Sequence, residues 1–283
     1  MKNLKNFMLL SVVSLAAMSC SKDDDTPVAN NVTLHFNNTF KTETIVLGDA
    51  TSSDATVNTS ASGQEHRFSE LKYVVSNIRL VKADGTEIPY NINDLDKGAA
   101  VVNQAKPQSL DYVLTNIPVG EYKELKFGLG VKTELNTLDE ARFPNFYAAA
   151  GANDTEMHWE WGTGYRFTKI EGFYGADNKT LSIHTGSTVE GEEGAYTQGV
   201  DAYRDITLTL PNNAVVGSSA PRITITADFD KLLSGKTNTI TLGDDNATPS
   251  VHTAANMVLF VDNLGGDGSS DLSGMFSIGS VEN

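Results

Sequence analysis

Apolar and polar residues alternate with a period of two along much of this chain, and nothing else in the sequence constrains the fold as tightly. Val32, Leu34 and Phe36 alternate with Thr33 and His35. Leu125, Phe127, Leu129 and Val131 alternate with Lys126, Gly128 and Gly130. Ile206, Leu208 and Leu210 are separated by threonines, and Ile223, Ile225, Ala227 and Phe229 follow the same rule. Successive side chains of a strand point to opposite faces, so strict alternation describes strands with one face in a core and one toward water. Turn chemistry separates the runs, as at Asp84-Gly85 and Pro118-Val-Gly120. Helical patterning is confined to residues 138–150 and 254–264. Many short strands with little helix predict an all-β chain, an antiparallel β-sandwich with long loops and one or two short helices. Residues 49–63 read as a long surface loop, residues 190–194 as a solvated acidic loop, and the Asp- and Gly-rich residues 262–271 as a turn.

The first 19 residues read as a processing signal. Lys2 and Lys5 precede an apolar run, residues 7–18, that is shorter than the roughly 20 residues a membrane-spanning helix needs. The run ends at Cys20, the one cysteine of the chain. A lone cysteine at that point is expected to be lipidated and to become the new N-terminus. The expected organisation is a lipoprotein signal peptide over 1–19, an acidic lipidated tether over 20–30, and a single domain over 31–283. The tether opens with Ser21-Lys-Asp-Asp-Asp25, which resembles a surface-export signal of some Gram-negative lipoproteins. The expected location is therefore the outer membrane, surface-exposed, with a periplasm-facing anchor as the alternative. Removing residues 1–19 takes the formal charge from −15 to −17, which excludes nucleic acid as a partner. With Cys20 acylated no disulfide can form, so the fold relies on packing.

Chemistry-bearing motifs are few. The chain has no His-Glu-x-x-His helix, phosphate-cradling loop, dinucleotide fingerprint or Gly-x-Ser-x-Gly elbow. The expectation is a binding protein and not an enzyme; a hydrolase built on scattered carboxylates is the least supported reading. What stands out is residues 157–172, which hold both tryptophans, Trp159 and Trp161, and one of five histidines, His158. In an extended segment the two indoles share one face and His158 and Glu160 the other. His66, beside Arg67 near a strand start, reads as an exposed surface histidine.

The pattern Trp-x-Trp-x-x-Gly-Tyr-x-Phe-x-x-x-Glu-Gly from Trp159 to Gly172 resembles that of the MbnP family of copper-binding bacterial envelope proteins. Residues 71–80 with Asp84-Gly85, residues 117–130, and His184-Thr-Gly186 resemble further family segments, in order. The resemblance implies a β-sandwich that binds copper through histidines and an oxidised tryptophan. In that family a MauG-like diheme cytochrome c peroxidase can convert a tryptophan to kynurenine, which ligates the metal. Carried onto this chain, the modified residue is Trp159 or Trp161. His35 and His184 are the leading ligand candidates, with His158 and His252 as second choices. Imidazole suits copper, and in a chain without a free thiol nitrogen is the available strong donor. Glu160 and Glu171 are candidate acceptors for the second nitrogen of a ligating ring. The competing reading is a metal-free surface module that binds glycans or a partner protein through Trp159, Trp161 and Tyr165.

Overall fold

The computed structural model describes residues 29–137, 140–150, 156–159, 164–191, 195–243, 250–251 and 254–283. Cys20 and the tether to residue 28, Glu160, Trp161 and His252 lie outside these residues. The first eight strands are β1 (Val32–Phe40), β2 (Glu43–Thr44), β3 (Asn58–Thr59), β4 (Glu65–Lys82), β5 (Glu87–Tyr90), β6 (Ala100–Asn103), β7 (Asp111–Leu114) and β8 (Gly120–Leu129). The remainder are β9 (Thr168–Tyr174), β10 (Lys179–Thr185), β11 (Val189–Glu190), β12 (Thr197–Gln198), β13 (Arg204–Val216), β14 (Arg222–Asp228), β15 (Ser250–Val251) and β16 (Phe276–Glu282). Helices are short: α1 (Leu95–Gly98), α2 (Thr133–Asn136), α3 (Pro144–Ala150) and α4 (Ala254–Gly265). The pattern over 138–150 thus resolves into α3 and a preceding 3-10 turn, Glu140–Arg142.

Two sheets face each other. The larger runs β13-β8-β4-β9-β10-β15, with β3, β5 and β6 also paired to the long β4. The smaller runs β16-β14-β1-β2, with β7 also on β1. Most pairs are antiparallel, as alternation and tight turns favour. Two are parallel, β1 with β14 and β10 with β15. Parallel neighbours come from segments far apart in sequence, which no local turn signal announces.

The alternating residues read from the sequence fill the space between the sheets. Leu34, Phe36, Leu125, Phe127, Ile206, Ile223, Ile225 and Phe229 are all buried. Aromatic contacts join the layers: Phe36 of the small sheet meets Tyr73 and Phe127 of the large one edge-on, at 5.9 and 6.2 Å between ring centroids. Offset and edge-on aromatic pairs add to what area burial alone supplies. Tyr73 carries a hydroxyl into this layer and donates it to Asn38 Oδ1 at 2.8 Å, so the buried polar atom is satisfied. α4 closes the structure through buried Phe260 and Leu264, and Asn263 ties it to the carbonyls of Leu232 and Asn238. Of the turn read over 262–271, residues 262–265 instead belong to α4 and the turn begins after it: Asp267 accepts from the amides of Ser269, Ser270 and Asp271.

His66 corrects the sequence reading. It is fully buried and stacks on Phe40 at 6.4 Å with 24° between the rings. The cause is a β-bulge. In the pairing of β4 with β9, Phe68 faces Gly172 but Glu70 faces Glu171, so one extra residue of β4 sits between them. An inserted residue reverses which face the following side chains take. Leu71 and Tyr73 point inward after the bulge, and His66 and Phe68 point inward before it. Gly172 is required opposite the bulge, because a Cβ there would lie 2.0 Å from the Arg67 carbonyl oxygen.

Candidate functional site

The outer face of the larger sheet carries a polar cluster. In the register of β4, β9 and β10, Lys72 lies opposite Lys169 and Lys169 opposite His184, while Glu70 lies opposite Glu171 and Glu171 opposite Ser182. Their neighbours Leu71, Ile170 and Ile183 are core residues, so alternation turns the polar row outward. Lys169 pairs with Glu70 at 3.1 Å, with Glu156, and more distantly with Glu171 at 3.8 Å; Lys72 pairs with Glu70. Burial works to lower the Lys169 pKa, but the bonds from Glu156 and Glu70 outweigh it and the net direction is upward. The hydrogen bond from His184, then the Lys169 charge, hold the Glu171 carboxyl below its ordinary range against its partial burial.

Residues 156–159 and 164–167 of the tryptophan segment lie over this row as two paired legs. Met157 receives Arg166 N–H at 2.7 Å, Trp159 N–H donates to Gly164 O at 3.1 Å, and His158 bridges Tyr165. Asn136 of α2 anchors one leg by accepting from Tyr165 N–H at 2.9 Å. Arg166 fastens the other leg: its Nη1 donates to the carbonyls of Glu156 and His158, and its guanidinium carbon lies 4.7 Å from the Trp159 ring centroid. A guanidinium over an indole face is an attractive arrangement. Glu156, at the start of the same segment, reaches Lys169 on the sheet.

These contacts bring Trp159 to His184, with ring centroids 6.4 Å apart. The glycine of His184-Thr-Gly186 makes the approach possible. A Cβ at Gly186 would lie 3.0 and 3.1 Å from Trp159 Cζ2 and Nε1 and 2.9 Å from the Tyr165 carbonyl. Gly186 N–H also donates to the thioether of Met257 on α4 at 3.3 Å. His184 Nε2 lies 2.8 Å from Glu171 Oε1 and 3.4 Å from Ser182 Oγ. Of the two carboxylates anticipated as ring acceptors, Glu171 has this geometry and Glu160 lies outside the described residues.

His158 lies on the same segment, with its ring turned to other neighbours. Its Nδ1 is 2.9 Å from the Trp159 carbonyl, and a carbonyl only accepts, so Nδ1 carries the hydrogen and the lone pair of the neutral ring is on Nε2. The ring packs edge-on against Tyr147 and Tyr165. Tyr165 is itself only 3% exposed, which removes it from any solvent-facing aromatic platform.

His35 belongs elsewhere. It points outward from β1 between inward-facing Leu34 and Phe36, on the far face of the smaller sheet. Its Nδ1 is 2.7 Å from Asp111 Oδ1, which Arg222 also holds at 2.8 Å. Packed sheets lie about 10 Å apart, so the outer faces of the two layers are separated by more than that, far beyond the ~2 Å of a metal–nitrogen bond. His35 and His184 therefore do not share one metal ion within a single chain. His66, enclosed on the inner side, faces neither. Among the described residues no three His, Cys, Asp or Glu side chains form a ready metal cluster.

Arg166, Lys169, Glu70 and Glu156 were not singled out from the sequence. Lys169 and Glu171 do alternate with core residues in β9, but their partners come from β4 and from the covering loop, which no spacing relates.

The MbnP family model matches residues 29–253. The solved structure of MbnP from Methylosinus trichosporium is similar in fold, with a TM-score of 0.57 at 16% identity, covering 88% of this chain and 98% of that one. No curated protein sequence matches this chain.

Proposed function

This chain belongs to the MbnP family, and from that premise we propose that it is a copper-binding lipoprotein of the bacterial envelope, a binder and not an enzyme, used in copper acquisition or handling. The observation that carries the reading is the pairing of the Trp159 indole with the His184 imidazole, at 6.4 Å, with Glu171 behind the imidazole. An imidazole whose second nitrogen is held by a carboxylate is the usual form of a metal-ligating histidine. Imidazole is a good copper donor.

An indole has no lone pair to offer, and one face of Trp159 is covered by Arg166. Trp159 is thus suited to ligation only after oxidation. Ring opening to kynurenine supplies an amine and a ketone where the indole edge now lies against Gly186. The oxidant is the peroxide used by the partner peroxidase, and the ring carbon between nitrogen and Cγ leaves as formate. On this reading the ligands are His184 and the Trp159-derived kynurenine, with His158 and His252 as second-choice donors and Trp161 the alternative site of modification. The modifying partner is a MauG-like diheme peroxidase. Cys20 supplies the membrane anchor, with the domain on the outer-membrane surface.

Copper titration against a chromophoric Cu(I) chelator tests the reading, on protein made with and without the diheme peroxidase. Peptide mass analysis of residues 157–169 accompanies it. Kynurenine at Trp159 makes that peptide roughly 4 Da heavier, one carbon lost and one oxygen gained. His184→Ala is expected to abolish tight binding, a larger effect than the about 10–100-fold that loss of an outer-shell partner brings. Absence of copper binding after co-production with the peroxidase would sink the proposal.

A further inference from the structure

We infer that Glu171 fixes His184 as the tautomer protonated on Nε2, so that Nδ1 is the nitrogen that meets the metal. The inference rests on the copper reading for the last step only; the orientation of the ring is a property of the chain alone. Three observations carry it. Nε2 lies 2.8 Å from Glu171 Oε1, within a normal hydrogen bond. An ionised carboxylate only accepts, so the hydrogen of that bond belongs to the ring, and in the neutral imidazole the lone pair is then on Nδ1. The imidazole is also held in place: its side chain is 7% exposed, between β9 and the Trp159 loop, while Glu171 is itself approached by Lys169 at 3.8 Å. Ser182 Oγ, 3.4 Å from the same Nε2, is a hydroxyl that can donate or accept and so imposes neither tautomer.

The consequence is a division of roles along one row of the sheet. His184 is the donor, Glu171 is a positioning residue that acts through it, and Lys169 keeps the covering loop seated by pairing with Glu156. His158, whose Nδ1–H is directed to the Trp159 carbonyl, offers the opposite nitrogen, Nε2.

Long-range proton–nitrogen correlation spectra of the 15N-labelled, metal-free protein read the tautomer directly, with His184 assigned by the loss of its signals in His184→Gln. The expected result is a protonated Nε2 and a lone-pair Nδ1. Loading with Cu(I), which is diamagnetic, should then move the Nδ1 resonance and leave Nε2–H in place. In Glu171→Gln the carboxamide both donates and accepts, so the single tautomer should give way to a mixture, and Cu(I) affinity should fall about 10–100-fold. A metal-free ring protonated on Nδ1, Cu(I) coordination at Nε2, or an unchanged tautomer in Glu171→Gln would each overturn the inference. The wild-type spectrum needs no variant, so the test survives a variant that does not fold. Failure of wild-type protein to take up Cu(I) while showing the Nε2–H ring refutes the copper proposal and supports the orienting role of Glu171.

Discussion

Replacing His66 should make the protein markedly less sensitive to acid. His66 is enclosed beside Phe40, and its Nε2 lies 3.1 Å from Gln64 Oε1. Burial disfavours its charged form and lowers its pKa from 6.5 to about 4, against smaller opposing effects of backbone hydrogen bonds. The sign follows from linkage. Between these two values the unfolded chain binds a proton that the folded chain refuses, so stability present above 6.5 is lost as pH falls toward 4. At 1.36 kcal/mol per pH unit, that interval is worth roughly 3 kcal/mol, a large share of the stability of an ordinary domain. His66→Leu removes the titrating group and keeps an apolar side chain of similar size. Gln64 remains satisfied, because its amide also exchanges hydrogen bonds with the backbone of Leu242 in both directions. Urea unfolding of both proteins between pH 7.5 and 4 gives the comparison. Acidic groups such as Glu156 and Glu171 titrate in both proteins and cancel in the difference. The variant should gain about 3 kcal/mol relative to wild type on going from pH 7.5 to 4, whatever its offset at neutral pH. Parallel stability curves would refute the argument and place His66 in contact with water.

Two further substitutions probe the site. Gly186→Ala places a methyl 3.0 Å from the Trp159 ring and 2.9 Å from the Tyr165 carbonyl; it should shift tryptophan fluorescence and weaken copper binding, at a stability cost of about 1–3 kcal/mol by overpacking. Unchanged fluorescence would mean that the indole does not rest on this glycine. Lys169→Met strands the carboxylate of Glu156 and takes one partner each from Glu70 and Glu171, which keep Lys72 and His184. Because Glu156 and Glu171 still face water, the cost should be about 1–3 kcal/mol, less than the ~3–5 of a fully buried pair, with faster amide exchange in residues 156–159. Equal exchange in variant and wild type would show that Lys169 does not seat the loop.

Much of the architecture is legible in the alternation. Val32 to Phe36, Leu125 to Val131 and Ile223 to Phe229 declare which side chains face a core, because a strand has a period of two wherever it lies. The segment around Trp159 was conspicuous for the same reason, since large indoles spaced two apart on a polar chain need a specific environment. His184 and Glu171 were both nameable as candidates, and they meet at hydrogen-bonding distance. Their meeting was not legible, because they sit on different strands whose relative register depends on pairing along the whole length of β4, β9 and β10.

His66 and His35 show where local pattern runs out. Alternation fixes a side chain's face relative to its neighbours, but a bulge at residues 68–70 inverts that relation and buries His66 where parity from Leu71 would expose it. His35 points outward as read, yet outward from which sheet is a matter of topology. The parallel pairing of β1 with β14 assigns it to the smaller sheet and away from Trp159. Residue type and spacing thus set the sandwich and its candidate donors, since both are properties of a single strand. Which donors share a site depended on the packing of two sheets and on one inserted residue, because proximity between strands is decided by pairing and register across the whole fold.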